Sequence, residues 1–325
     1  MSLDRALSKN PFRIDLFKCH EMGIRLRHYK AEPNVEPWSD APAIDQFIFK
    51  TLFISICHQM NWDVLQAAMA DWVLPSSSLR LEEFAATSPS KISELLDHYP
   101  KKERVRPTER EAMVRSTAAA LKRLIEEEPA FSSFFAEPIL DGVSGFYELI
   151  SCVPAFNGDP LDKKARVLAH DLYREGILPF RDPENLRPAV EYHLLRLYLR
   201  TGRVHPINNA VRDELVGESK PVRRDRLVRL LRETVDEAMR YTATCAGLDV
   251  ATLNYLEWQL ARNLCVPELG GARISEFCMA PTELKLPEDI FAITPDGCPF
   301  RAECSSLNDP VYGWYREPTF QKAIY

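Results

Sequence analysis

The sequence predicts a mainly α-helical protein. Glycine is scarce, at 12 of 325 residues, whereas proline is common, at 24. Long stretches rich in alanine, leucine, arginine and glutamate have apolar residues at helical spacing, and stretches with the alternating pattern of strands are few. The prolines fall between the helical stretches and separate them.

Hydrophobic periodicity places the helices. They are predicted in residues 42–73 (one or two buried helices), 81–96, 108–128, 144–152, 161–175, 189–200, 223–246 and 252–264. The segment SPSKISELL has an N-capping pattern, and TEREAMVRSTAAALKRLIEEE is strongly amphipathic. Residues 1–40 have no clear period, and the chain after Cys265 is predicted to be an irregular segment rich in proline and cysteine.

Length and composition exclude several classes of protein. The length suggests about two lobes, and 46% hydrophobic with 27% charged residues is ordinary for a soluble globular chain. No run of about 18 apolar residues is present, and the N-terminus lacks an apolar signal core. Eight cysteines do not make a secreted disulfide scaffold. We therefore expect a cytoplasmic protein with no membrane partner.

Charge is distributed unevenly along the chain. The net charge is −6, yet residues 163–232 contain 16 Lys or Arg and 9 Asp or Glu, which gives this segment +7 and leaves −13 for the remainder. Such a segment is compatible with a local phosphate-binding face. The alternative is a set of solvated helix faces with no ligand.

Four of the eight cysteines lie close to the C-terminus. They are Cys265, Cys278, Cys298 and Cys304, separated by 12, 19 and 5 residues. Four thiolates that converge on a loop suit either a [4Fe-4S] cluster or a tetrahedral zinc. The alternative is four unrelated buried thiols, which is how we interpret the other four cysteines, since they lie in apolar segments.

Several segments, in this order, carry a resemblance to a known family. They are ISICHQMNWDVL (54–65), VPAFNGDPLDKKARVL (153–168), VEYHLLRLYLRTGRV (190–204), NYLEWQLARNLC (254–265) and CPFRAEC (298–304). Together they resemble the helix-hairpin-helix DNA glycosylase superfamily, in the iron–sulfur branch typified by endonuclease III and the adenine glycosylase. The resemblance covers roughly residues 43–304.

The resemblance implies a two-lobed helical glycosylase-like fold with a C-terminal four-cysteine metal loop. Residues 1–40 would be an N-terminal extension, 41–250 the helical core with the hairpin near 153–168, and 251–325 a C-terminal helix and cysteine loop packing on that core. The loop would hold one [4Fe-4S] cluster, with zinc as the alternative metal. The chain departs from the family in its lengthened hairpin and in its cysteine spacing, of which only the last interval is kept.

The resemblance also implies catalytic residues. Cleavage of an N-glycosidic bond passes through a sugar that carries positive charge, which a nearby carboxylate stabilises. The catalytic aspartate of the family falls on Glu191, with Asp182 as the second candidate. The family's lyase lysine falls on Lys163 or Lys164, where the amine would form a Schiff base with the sugar. The structural alternative for both lysines is an exposed pair at a helix start.

Further residues are expected to contact the base or the DNA. Gln59 resembles the family residue that fills the gap left by an extruded base, and His58 and Asn61 flank it. The alternative for Gln59 is a helix-end cap. Around Glu191, the expected contacts are Tyr192, His193 and Arg196. We expect Gln59 and Glu191 to lie on opposite sides of one cleft.

Three functions are compatible with these observations. The first is a DNA base glycosylase that acts as a monomer on double-stranded DNA, including modified or damaged bases, with lyase activity undecided. The second is a nucleoside or nucleotide N-glycosidase of the queuosine-salvage type, which the acidic net charge and the altered hairpin favour. The third is a catalytically silent DNA-binding module, favoured by glutamate in place of aspartate at position 191. The cysteine cluster and Gln59 favour the first.

Overall fold

The computed structural model describes residues 9–29, 36, 38–75, 80–158, 161–216, 225–266, 290, 292, 294 and 297–318. Within them the fold is mainly helical, as the composition predicts. Two short strands, β1 (Phe12–Ile14) and β2 (Val204–Pro206), pair antiparallel with Phe12 opposite Pro206. The helices are α1 (Leu16–Leu26), α2 (Ala43–Ile56), α3 (Trp62–Val73), α4 (Leu81–Ala85), α5 (Pro89–Leu95), α6 (Pro107–Glu127), α7 (Pro129–Ala136), α8 (Phe146–Ser151), α9 (Lys163–Arg174), α10 (Tyr192–Thr201), α11 (Asn209–Leu215), α12 (Asp225–Ala246), α13 (Val250–Asn263), α14 (Ser305–Asn308) and α15 (Pro310–Gly313).

The eight predicted helical segments are confirmed, and one of them is divided. The segment 81–96 forms two helices because the Ser88 side chain caps a new helix and Pro89 occupies its first position. The structure adds helices α1, α7 and α11, and the short helices α14 and α15 in the segment predicted to be irregular, none of which the periodicity predicted. No helix in the described part of the chain combines the length and apolarity that crossing a membrane requires.

The chain divides into two compact units. The middle unit spans Pro33–Leu186 with Ile324–Tyr325, and the terminal unit combines Met1–Glu32 with Arg187–Ala323. This division differs from the one drawn from the sequence, in which residues 1–40 were an extension and one core ran to residue 250. The reason is burial: Cys19 and Met22 of α1 are fully buried in the cores of the terminal unit. A helix so buried belongs to the core and is not an appendage.

Helix α2 forms the centre of the middle unit. It is apolar almost all round, so every residue from Asp45 to Ile56 is buried. Its Lys50 ammonium is fully buried and lies 3.2 Å from Asp171 and 2.5 Å from Glu175, both on α9. Burial alone would lower the pKa of Lys50, but these two carboxylates raise it. Burial, with the charge of Asp171, also raises the pKa of Glu175 to about 7.

Helices α1 and α12 pack closely in the terminal unit. The contact requires Gly23, because a Cβ at that position would lie 2.7 Å from the Cβ of Cys245. Beside this contact, Arg203 forms a fully buried ion pair with Glu257 of α13. The Arg203 guanidinium also lies 3.6 Å from the centroid of the Tyr198 ring. One charged contact therefore joins α13 to the end of α10.

Arg203→Met should destabilise the protein by about 3–5 kcal/mol, because it leaves the Glu257 carboxylate buried without its counter-charge. The double variant Arg203→Met/Glu257→Leu should recover most of that loss, since it buries no charge. The free energy of unfolding in urea measures both. Equal losses in the single and double variants would contradict this account of the pair.

Candidate functional site

Glu191 is the N-cap residue of α10 in the terminal unit. The backbone that leads to it is fixed, because Asn254 accepts a hydrogen bond from the Ala189 amide (2.9 Å) and Arg232 donates to the Val190 carbonyl (3.1 Å). The Glu191 side chain retains only 11% exposure. The N-terminus of a helix carries partial positive charge, which stabilises a carboxylate placed there. The Glu191 carboxylate therefore lies at the positive end of a helix, where little of it is exposed to solvent.

His193 lies between two carboxylates. Its Nε2 is 3.8 Å from Glu191 Oε1, and its Nδ1 is 2.8 Å from Glu317 Oε1. Nδ1 also lies 3.3 Å from Arg196 Nη1, so Glu317 and Arg196 hold this edge of the ring while Nε2 faces Glu191. Arg196 also contacts Glu317, and the Tyr192 ring lies 4.3 Å from the His193 ring. The sequence did not predict Glu317 as a site residue, because no sequence motif links a residue near the C-terminus to α10.

Arg196 was expected to contact DNA, but its side chain is fully buried. Its guanidinium donates to the carbonyls of Ala261 and Cys265, each at 2.6 Å. Burial lowers the pKa of Arg196 to about 10. Arg200 is buried in the same way and donates to the carbonyls of Tyr315 (3.0 Å) and Val266 (2.8 Å). Both arginines join α10 to segments nearer the C-terminus, and this burial argues against a phosphate contact.

Three of the four C-terminal cysteines lie among the described residues, and Cys278 lies outside them. Cys265 Sγ is 3.7 Å from Arg200 Nη1, and Cys304 Sγ is 3.7 Å from the Arg200 carbonyl oxygen. Cys298 packs against the same apolar cluster as Cys265. Among the described residues no group of three or more His, Cys, Asp or Glu has the arrangement of a metal site. Cys265 thus contacts the Arg200 guanidinium, Cys304 contacts the Arg200 backbone, and Cys298 shares an apolar cluster with Cys265.

A glycine brings the last cysteine segment to α10. Gly202 ends the helix in the left-handed conformation (φ +77°), and a Cβ there would collide with the Ser305 side chain. Ser306 donates a hydrogen bond of 2.7 Å to the Arg200 carbonyl. The close approach fixes the backbone next to Cys304 against the end of α10.

Gln59 lies in an exposed turn of the middle unit. Its backbone is left-handed (φ +57°), as is that of Arg106 (φ +43°). The two side chains are joined, because Arg106 Nη2 donates to Gln59 Oε1 at 2.9 Å. Residues other than glycine rarely adopt this conformation, and such strain concentrates at functional positions. The C-cap of α2 is Cys57, so Gln59 lies two residues beyond it.

The two residues beside Gln59 have structural contacts. His58 is buried, with Nε2 2.6 Å from Glu109 Oε1, and its Nδ1 has no hydrogen-bond partner within the described residues. Asn61 caps α3 by accepting from the Val64 amide at 3.2 Å. These contacts place His58 under the turn, whereas Asn61 is an exposed cap at the start of α3.

The candidate lysines and Asp182 belong to the same unit. Lys164 is buried and donates to the Ser55 carbonyl at 2.6 Å, which neutralises the negative C-terminus of α2. Lys163, the first residue of α9, is half-buried. Asp182 accepts hydrogen bonds from the amides of Leu140 (2.7 Å) and Asp141 (3.2 Å). Lys164 and Asp182 are thus engaged with backbone, and Lys163 is the more accessible of the two lysines.

The pH dependence of stability should reveal the buried His58. Burial, together with the charges of Arg110 and Lys164, lowers the pKa of His58 from 6.5 to about 4. As the pH falls below 6.5, the unfolded chain binds a proton that the folded protein rejects, so stability is lost. Between pH 6.5 and 4.5 the loss should be on the order of 2–3 kcal/mol.

His58→Gln should remove that pH-dependent part, measured as the free energy of urea unfolding at several pH values. The exposed His98 provides a matched control, since His98→Gln should leave the slope unchanged. An unchanged slope in His58→Gln would mean that His58 is protonated in the folded protein.

A scan against models of known protein families and a search of curated proteins both return no match for this chain. The family resemblance therefore depends on the order of the quoted segments and on the residues described above.

Proposed function

We propose that the protein is an N-glycosidase that removes a base from double-stranded DNA, with a two-lobed glycosylase-like arrangement of its helices. The observation that carries the proposal is the exposed, strained turn at Gln59, held by a hydrogen bond from Arg106. Extruding a base costs a few kcal/mol and leaves a gap in the stack. An exposed amide held in a fixed conformation at the tip of a turn is suited to fill that gap.

Glu191 would stabilise the sugar as its glycosidic bond breaks. Because the carboxylate is 11% exposed and lies at the N-terminus of α10, it meets a developing cation in a medium less polar than water. His193, oriented by Glu317, holds the imidazole edge toward that carboxylate. If a lysine attacks the sugar, Lys163 is the candidate, since Lys164 is buried against the end of α2.

Glu191→Gln keeps the shape of the side chain and removes its charge. We expect base release in single-turnover assays on duplex DNA to fall by a factor of about 100 or more, with a much smaller loss of binding, because the charge acts mainly in the transition state. Glu237→Gln, at an exposed position of α12, is the matched control. Base release at the normal rate by Glu191→Gln would exclude this residue from the mechanism.

The proposal includes a metal cluster. Cys265, Cys298 and Cys304, with Cys278, would hold one [4Fe-4S] cluster; the packing of Cys265 and Cys298 against one apolar cluster supports this. When bound, such a cluster ties a long loop to the core and adds to folding stability.

Protein purified without oxygen should absorb near 400 nm and contain about four iron atoms per chain. Cys298→Ser should lose the iron and much of the folding stability, whereas Cys152→Ser, at an exposed cysteine of the middle unit, should keep both. Colourless protein with one zinc per chain would show that the site binds zinc and not iron. Absence of any metal would overturn the cluster.

One observation favours a smaller substrate. Among the described residues of the basic segment 163–232, five cations are buried, namely Lys164, Arg196, Arg200, Arg203 and Arg232. Less positive charge is therefore available to a polyanion than the sequence suggested. The second candidate is therefore a nucleoside or nucleotide N-glycosidase. Base release from mononucleotides, with none from duplex DNA, would select it.

A further inference from the structure

We propose that the loop KKERVR at residues 101–106, called here the basic loop, binds the phosphate backbone of duplex DNA next to Gln59. This inference rests on the proposed function and names the surface through which the protein meets its substrate. The basic loop carries four cations and one anion, a net charge of +3. All four cationic residues are exposed, in contrast to the five buried cations of the segment 163–232.

The basic loop is anchored from below, so its surface is fixed. Val105 is buried, and the Arg104 carbonyl accepts a hydrogen bond of 2.9 Å from the buried Arg110. Arg110 also donates to the His58 carbonyl at 3.1 Å. One guanidinium therefore holds the basic loop and the turn before Gln59 together, which prevents the two from moving apart.

Two arginines of the basic loop contact Gln59 itself. Arg104 Nη1 lies 3.4 Å from the Gln59 carbonyl oxygen, and Arg106 Nη2 donates to Gln59 Oε1 at 2.9 Å. The only carboxylate found near Arg106 among the described residues is Glu109, at 3.5 Å, and it also binds His58. Both arginines thus lie at the surface beside the residue proposed to enter the duplex.

The chemistry of this surface suits a phosphodiester backbone. A guanidinium presents parallel N–H donors that match two phosphate oxygens, and exposed lysines add sequence-independent attraction. Next to an extruded base the closest phosphates flank the gap that Gln59 fills. Gln59 Oε1 accepts from one nitrogen of Arg106, so the other N–H donors of that guanidinium can meet a phosphate while Gln59 stays held.

The test is the salt dependence of binding to a duplex oligonucleotide, measured with the full chain. Each phosphate contact contributes about 0.9 to the slope of log K against log salt. We expect Arg104→Gln and Arg106→Gln each to reduce that slope by about 1, and the double variant by about 2. Arg123→Gln, at an exposed position of α6, is the matched control and should leave the slope unchanged. An unchanged slope in the double variant would overturn the inference.

A second pair of variants guards against misfolding, since Arg106 has strained backbone. Lys101→Gln changes only an exposed side chain and should also reduce the slope, whereas Arg104→Lys keeps the charge and should preserve it. Loss of the slope in Arg104→Lys, or full retention of it in Lys101→Gln and Arg104→Gln together, would exclude the phosphate contact.

Base release is measured separately, so the two proposals fail in different ways. Duplex binding that weakens in the arginine variants, with no base released from any substrate, would refute the glycosidase and leave the basic loop as a DNA-binding surface. Normal base release with an unchanged salt slope would support the glycosidase and refute the basic loop as a DNA contact. Base release from mononucleotides without measurable duplex binding would refute the basic loop as a DNA contact.

Discussion

The terminal unit depends on three buried arginines at and just after α10. Arg196, Arg200 and Arg203 are almost completely buried, and their donors meet backbone carbonyls or the Glu257 carboxylate. A buried guanidinium without such partners would be strongly destabilising, so each arginine requires a particular neighbouring segment. The order of the arginines along α10 therefore determines where α13, the cysteine segments and the residues near Tyr315 must lie. Glu191, the N-cap residue of the same helix, is positioned together with it.

In the middle unit, buried carbonyls at the end of α2 also require donors from buried cations. The apolar helix ends in carbonyls that are buried with it, and Lys164 and Arg110 donate to the last two of them. A buried carbonyl that lacks a hydrogen-bond donor destabilises the folded protein, so these cations are needed where they lie. Their charge also keeps His58 neutral, and the chain leaves the helix in a turn that presents Gln59 to solvent. Support below the turn thus produces the strained, exposed geometry above it.

The sequence predicted the helices because their apolar periodicity is a local property. It did not predict α1, which is only 11 residues long. The burial of this helix depends on its close approach to α12 at Gly23. It placed Glu191 at a helix start and Gln59 after an apolar helix, and both placements are confirmed. The partners Glu317 and Arg106 are distant in sequence from the residues they contact, so only the structure identifies these contacts. The metal and the reaction stay predictions.

Charge counted along the sequence gave a misleading picture of the surface for a physical reason. Arginine is both the cation most often used to contact phosphate and the one best able to satisfy buried carbonyls, because its five donors are spread over a plane. A run of arginines on an amphipathic helix is compatible with either use, and only burial separates them. Here the arginines of α10 serve the interior. The short basic loop, whose net charge is smaller, offers more accessible charge per residue, because its backbone is anchored while its side chains remain in solvent. Accessible charge beside a strained turn is therefore a better guide to a polyanion site than net charge over a long segment.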